Sequence, residues 1–189
     1  MTAAPLVLGS RMPFRKVEGR FFRAVLAERV GDVLAPPGPG SAGRYHRPGQ
    51  ATLYMSATVD GAIAAVSKYM RADRLPRVIV PLLVGEALVI DQREADACRG
   101  IGIDPALSSL PWQSALAVGQ DPPSWRNADV ARDAGADGII DCSRNMPGAW
   151  HLNLFRWNGL GGSSVTVCGE AVPISLSPDG TIVAAPASE

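Results

Sequence analysis

The residues best suited to chemistry lie between Gly43 and Ser56: Gly43-Arg44-Tyr45-His46-Arg47-Pro48-Gly49, then Leu53-Tyr54-Met55-Ser56. Two arginines and a histidine precede a Pro-Gly turn, and a short apolar segment leaves it. A guanidinium presents a planar fork that grips phosphate oxygens in pairs. Tyr54 offers a flat ring for a base or a nicotinamide. A cationic loop feeding a strand and then a helix is therefore a candidate anion pocket. Local chemistry alone also fits a solvated turn beside a core tyrosine. His46 reads equally as a phosphate contact and as a solvated loop histidine. Ser56 shares the strand face of Tyr54, where it either lines a cleft or permits close packing.

Further candidates lie far along the chain. Arg23 sits among apolar neighbours in Phe21-Phe22-Arg23-Ala24-Val25-Leu26, as an outward edge charge or as an inward arginine facing an anion. Ala136-Asp137-Gly138-Ile139-Ile140-Asp141-Cys142 reads as a turn and a buried strand that delivers Ser143 and Arg144 at its end. Arg144 suits a phosphate or a surface ion pair. Asn153 suits a ribose hydroxyl. His151 suits a pocket or packing on Trp150. Arg47 reads as exposed, Trp112 as a core anchor, Trp125 and Trp157 as packing, and Cys142 as buried and inert.

The elements that must position these groups follow from periodicity and punctuation. Strands are expected at 21–26, 51–56, 77–84 (with 87–91 as its continuation or a second strand), 139–144 and 150–157. In the last, His151, Asn153, Phe155 and Trp157 share one face. Apolar residues at 59, 62, 63, 66 and 70 predict a helix over 59–70, with Asp60 favourably placed in its first turn. Shorter helices are expected at 91–99, from Trp112, and over 125–134 with Ser124 as N-cap. The Pro-Gly-Ser stretch 35–43 is a loop. Residues 1–13 read as a loose leader, 14–160 as one mixed α+β domain, and 161–189 as a hairpin-like extension and tail.

Composition narrows the function. The 189 residues are 47% hydrophobic, enough for one domain with a sizeable core. Eighteen basic and eighteen acidic residues balance, which argues against a general nucleic-acid binder. Three cysteines without paired spacing point to a reducing compartment, hence the cytoplasm. With only His46 and His151, a histidine-based zinc site is not expected, and no metal is assigned. The start lacks the pattern of a secretory leader, and no apolar run approaches the ~20 residues that span a bilayer. The sequence admits a homo-oligomer without specifying its surface. No Gly-x-Ser-x-Gly elbow supports a serine hydrolase.

Taken in order from about Phe21 to Trp157, the pieces resemble the RES domain family, the toxin half of Xre–RES toxin–antitoxin pairs. The likeness rests on Arg23 in the opening strand, Gly43-Arg44-Tyr45 with Pro48-Gly49 and Leu53-Tyr54-Met55-Ser56, Val89-Ile90-Asp91, the 136–144 run, and Asn153-Leu154-Phe155. The resemblance implies a fold related to ADP-ribosyltransferases, NAD+ as substrate, and cleavage of the nicotinamide–ribose bond. The ADP-ribosyl group would pass to phosphate, water or a protein. It also implies an Xre-like antitoxin as partner. Mapped onto this chain, the family's arginine falls on Arg44, its pocket tyrosine on Tyr54 and its serine on Ser143. Arg23, His46, Ser56, Arg144 and Asn153 are the further NAD-binding candidates.

The family's glutamate falls on Ala65, and no Glu occurs between Glu28 and Glu86. Breaking the glycosidic bond builds positive charge on the ribose, which a nearby carboxylate would offset. Three accounts stay open. Asp60, Asp91 or Asp141 substitutes for the acid; the chain is a non-catalytic module that binds a nucleotide or a partner; or Ala65 is an inactivating substitution.

Overall fold

Two long strands organise the molecule, β1 (Phe14–Leu26) and β3 (Arg77–Asp91). The computed structural model, which describes residues 13–184, pairs them antiparallel from Phe14↔Ile90 to Leu26↔Arg77. A register shift falls between Val17 and Gly19, and Gly19 takes φ +118°, a backbone region that glycine tolerates. The stretches expected as 77–84 and 87–91 are thus one strand. Its far edge serves three partners in turn: β7 (Val172–Leu176), β6 (Val165–Val167) and β4 (Gly138–Cys142), the last in parallel. β8 (Ile182–Ala184) continues from β7.

β2 (Leu53–Ser56) and β5 (Trp150–Leu154) complete the sheet in the order β1-β2-β5-β4-β3. Because β1 also pairs with β3, that path closes on itself, joined between β1 and β2 at Phe22↔Ser56. Phe21, Leu53, Met55, Leu82, Val84, Val89, Ile140, Leu152 and Leu154 fill the inside. Each such buried side chain contributes about 1.5–3 kcal/mol. Alternation along β2, β4 and β5 then sends Tyr54, Ser56, Asp141, His151 and Asn153 to the opposite face.

α1 (Val59–Asp73) covers part of that face. The Thr58 hydroxyl accepts from the Gly61 N–H at its start, and Arg74 ends it at φ 55°. Val59, Ala62, Ile63, Val66 and Met70 pack against Ile79 and Ile174, as the 3.6-residue period predicts. A short 3₁₀ segment (Ala27–Asp32) and α2 (Ala95–Gly100), α3 (Pro105–Ser109), α4 (Trp112–Ala117) and α5 (Ser124–Asp133) make up the rest.

Several expectations are corrected. α2 starts at Ala95, not at 91, because Asp91 still belongs to β3. α3 and the 3₁₀ segment had no clear periodic signal. Ser124 is not the cap of α5, since Pro123 holds that place and the Ser124 hydroxyl donates to Arg44 O at 2.6 Å. Trp112 is half-buried at the start of α4 and lines a cleft rather than anchoring the core. After residue 160 the chain returns to the main sheet through β6 and β7. Of the expected leader, 1–13, residues 1–12 lie outside the described residues.

At Gly138, β4 runs close against the backbone of β5. A Cβ there would lie 2.3 Å from Asn153 O and 2.9 Å from Leu154 Cα, both backbone atoms of the neighbouring strand. Gly138→Ala is therefore expected to destabilise the fold by about 1–3 kcal/mol. The urea midpoint should fall with no change in slope. An unchanged midpoint would show that the two strands part freely.

Candidate active-site cleft

A cleft of about 560 Å³ opens between the outward face of β2, β5 and β4, one side of α1, and the 35–46 loop. It takes side chains from most of the segments singled out in the sequence, though not from Val89-Ile90-Asp91. Arg23, Arg44, His46, Tyr54 and Ser56 line it, as do Ser143, Arg144 and Asn153. Position 65 does too: α1 turns Ala62, Ala65, Val66 and Tyr69 toward the cleft at helical spacing.

The tight turn Gly43–His46, closed by a bridge between its ends, presents Arg44. Its carbonyls are pinned from α5: Trp125 Nε1–H donates to Gly43 O at 2.8 Å, and Ser124 bonds Arg44 O. The Arg44 Nη1 donates to Ser108 O and, at 3.0 Å, to Leu110 O. Nη2 has no partner although Arg44 is only 7% exposed. Burial, then the nearby Arg144, lowers the Arg44 pKa, which still leaves a cation at neutral pH.

The Tyr54 hydroxyl accepts from Tyr45 N–H at 3.0 Å and lies 2.8 Å from His46 Nδ1. With its acceptor role taken by a backbone N–H, the phenol donates to Nδ1. His46 then carries its proton on Nε2. Burial, with Arg132 adding to it, holds the His46 pKa down at about 4, so the ring is neutral. Its Nε2 is buried without a partner. Burial pushes the Tyr54 phenol well above its ordinary range, so its hydroxyl stays protonated and only its ring is left for a ligand.

Arg23 follows the inward reading. It shares strand parity with Phe21 and sits opposite Val80 of the barrel interior. Nη1 donates to Tyr54 O at 3.1 Å, and Nε is buried without a partner. Burial lowers its pKa to about 10. The Ser143 Oγ is likewise buried and unpartnered, while Arg144 beside it is exposed. Asn145 Nδ2 donates to Ala64 O at 3.1 Å, bringing the loop after β4 against the turn of α1 that carries Ala65.

Of the three candidate acids, only Asp141 lines the cleft. Its Oδ1 accepts from Asn153 Nδ2 at 2.7 Å, and burial raises its pKa, favouring the neutral acid. Asp91 is corrected: it is bound by Arg93 at 2.7 Å and by Arg15 at 3.1 Å, away from the cleft. Asp60 is exposed on the first turn of α1 and does not reach the cleft lining. Among the described residues, the other lining carboxylate is Asp32, paired with Arg29 at 3.1 Å.

Other readings shift as well. Cys142 is exposed and lines the cleft, because β4 ends there and the chain turns outward. Arg47 is committed to Asp129 at 2.7 and 2.8 Å and lies 4.7 Å over the Trp125 ring, so it is structural. His151 lines the cleft and is held by Ser56 Oγ at 2.9 Å. A buried polar set was missed: Tyr45 OH accepts from Gln92, whose Oε1 accepts from Ser108 Oγ at 2.6 Å and Asn127 Nδ2 at 3.0 Å. It braces the Arg44 turn from behind. Gln92 and Asn127 stand among charged neighbours in the sequence, so no local pattern marked it.

Compared with protein-family models, the chain matches the RES domain over residues 20–177. No curated protein matches it in sequence. Among solved structures it is similar to a chain of the M. tuberculosis MbcT–MbcA toxin–antitoxin complex, with a TM-score of 0.58 and 13% identity. That likeness covers 86% of this chain and 87% of the other, and it speaks to the fold. The mixed α/β architecture around one closed sheet agrees with it, and a domain match spanning most of the chain shows that this protein belongs to the RES domain family.

Proposed function

We propose that this chain is the toxin of a toxin–antitoxin pair, and that it binds NAD+ in the arginine-lined cleft and cleaves the bond between nicotinamide and ribose. One observation carries the reading. Polar atoms of Arg23, Arg44, His46 and Ser143, all buried and without protein partners, belong to residues lining the same cleft as the Tyr54 ring. Buried donors left unmatched cost about 1–3 kcal/mol each, so a site that keeps four of them suits a ligand rich in acceptor oxygens.

In this reading Arg44 and Arg23 hold the pyrophosphate, with Arg144 at the mouth. His46 donates through Nε2–H as a neutral group, and Ser143 orients the nicotinamide amide or a phosphate oxygen. Tyr54 supplies a ring face for the nicotinamide, and Asn153 approaches a ribose hydroxyl. Holding both ends of the dinucleotide leaves the glycosidic bond as the part free to distort. The released ADP-ribosyl group passes to phosphate, water or a protein. The partner is an Xre-like antitoxin that covers the cleft, in the cytoplasm where NAD+ is abundant. The structural neighbour, taken from a toxin–antitoxin complex, supports that pairing.

A second reading, binding without turnover, is favoured by Ala65 in the cleft wall and by the burial that raises the Asp141 pKa. Melting temperature against NAD+ concentration tests the shared step. A ligand at 100 times its Kd stabilises the folded state by about 2.7 kcal/mol. A rise of several degrees is expected with NAD+ and none with nicotinamide alone. A flat response to NAD+ would sink both readings, and nicotinamide release then separates them.

A further inference from the structure

The register of β2, β5 and β4 sets three polar residues in one row: Ser56 opposite His151, and His151 opposite Asp141. All three line the cleft. Ser56 is buried, so its Oγ, 2.9 Å from His151 Nδ1, fixes the ring in place. The tautomer in which Nδ1–H donates to Ser56 leaves the lone pair on Nε2, the state a base requires. Four groups bear on the ring: Asp141 from β4, Arg144 just after it, Arg44 from the 43–46 turn, and Ser56 from β2. α1, which roofs this side, brings Ala62, Ala65 and Val66, and Tyr69 is the titratable side chain on its cleft face. Burial holds the His151 pKa below the ordinary histidine range; Asp141 opposes it, and Arg144 and Arg44 add to the lowering.

Resting on the NAD+ reading above, we propose that His151 is the base of the reaction and that the acceptor it activates is water. His151 Nε2 takes a proton from water as the water oxygen bonds to C1′ of the nicotinamide ribose. The C1′–N bond breaks, its electron pair goes to the nicotinamide nitrogen, and neutral nicotinamide leaves. The imidazolium later returns its proton to solvent. A phosphate dianion brings its own charged oxygen and has no need of a base; water must lose a proton. In a chain with Ala65 where the family places an acid, His151 is a neutral base already fixed at the cleft floor.

The test uses the full chain and follows nicotinamide release from NAD+ between pH 5 and 8, with and without inorganic phosphate, beside the NAD+-induced melting shift. His151→Gln is expected to lower kcat by about 10²-fold or more while keeping the NAD+ shift. The wild-type profile should show an acid limb centred below about 6.5, absent in the variant. The product should be ADP-ribose whether or not phosphate is present. Should His151→Gln fail to fold, Ser56→Ala, which frees the ring, is expected to lower kcat with KM kept, and the wild-type acid limb still reports the base. Variant rates within threefold of wild type, a phosphate-dependent phosphorylated product, or NAD+ binding without turnover would each overturn the assignment. A wild-type protein that gives no shift with NAD+ would overturn the underlying reading as well.

Discussion

Ala65→Glu is expected to raise the rate of NAD+ consumption by about 10²–10³-fold, the scale of one well-placed electrostatic group. Ala65 sits on the cleft side of α1, one residue past the carbonyl that Asn145 holds. It is exposed, so a longer side chain meets no packed core, and glutamate is a good helix former. The new carboxylate would face a cleft lined by Arg23, Arg44 and Arg144, whose field keeps it ionised. It would also stand where positive charge grows on the ribose. Nicotinamide release measures the effect. An unchanged rate in a variant that still shows the NAD+ melting shift would mean that position 65 does not face the reacting bond.

Arg44→Ala is expected to weaken NAD+ binding by about 2–5 kcal/mol, a loss of thirtyfold or more in Kd. The size of the effect comes from how the guanidinium is held. Nη1 is committed to the carbonyls of Ser108 and Leu110, so the unpartnered Nη2 is aimed rather than mobile. Arg44→Lys should fail nearly as badly, because one ammonium cannot bond two carbonyls and a phosphate in that fork geometry. The variant also leaves the Ser108 carbonyl, buried beneath it, short of a donor, at a cost of about 1–3 kcal/mol. Calorimetric titration with NAD+ checks the binding, and urea unfolding checks the stability. Affinity within threefold of wild type would show that the phosphates are held elsewhere.

Much of this was written in local pattern. The period of 3.6 from Val59 to Met70 gave α1 and its buried side, because an amphipathic helix has one apolar stripe to hide. Period two placed His151 and Asn153 on the face opposite Leu152 and Leu154. The order of the Arg23, Arg44, Tyr54, Ser143 and Asn153 segments pointed to the RES family, and the domain match agrees. Local pattern failed where the deciding contact is distant in number. Ser124 has the composition of a cap, yet its hydroxyl serves Arg44 O, 80 residues away. Trp112 reads as core by size alone, and Asp91 reads as available in the sequence, but Arg15 and Arg93 bind it.

By itself, then, the sequence determined the long helix and most of the strands, which of their faces are polar, and that an arginine, a tyrosine and a serine recur in a RES-like order with alanine in the acid's place. Only the tertiary structure decided which polar side chains remain unmatched, that Asp141 rather than Asp60 or Asp91 reaches the cleft, and that Ser56, His151 and Asp141 form a row. The physical reason is that periodicity is set by neighbours along the chain. Hydrogen-bond satisfaction, desolvation and strand register are set by neighbours across it, and those exist only once the sheet has closed.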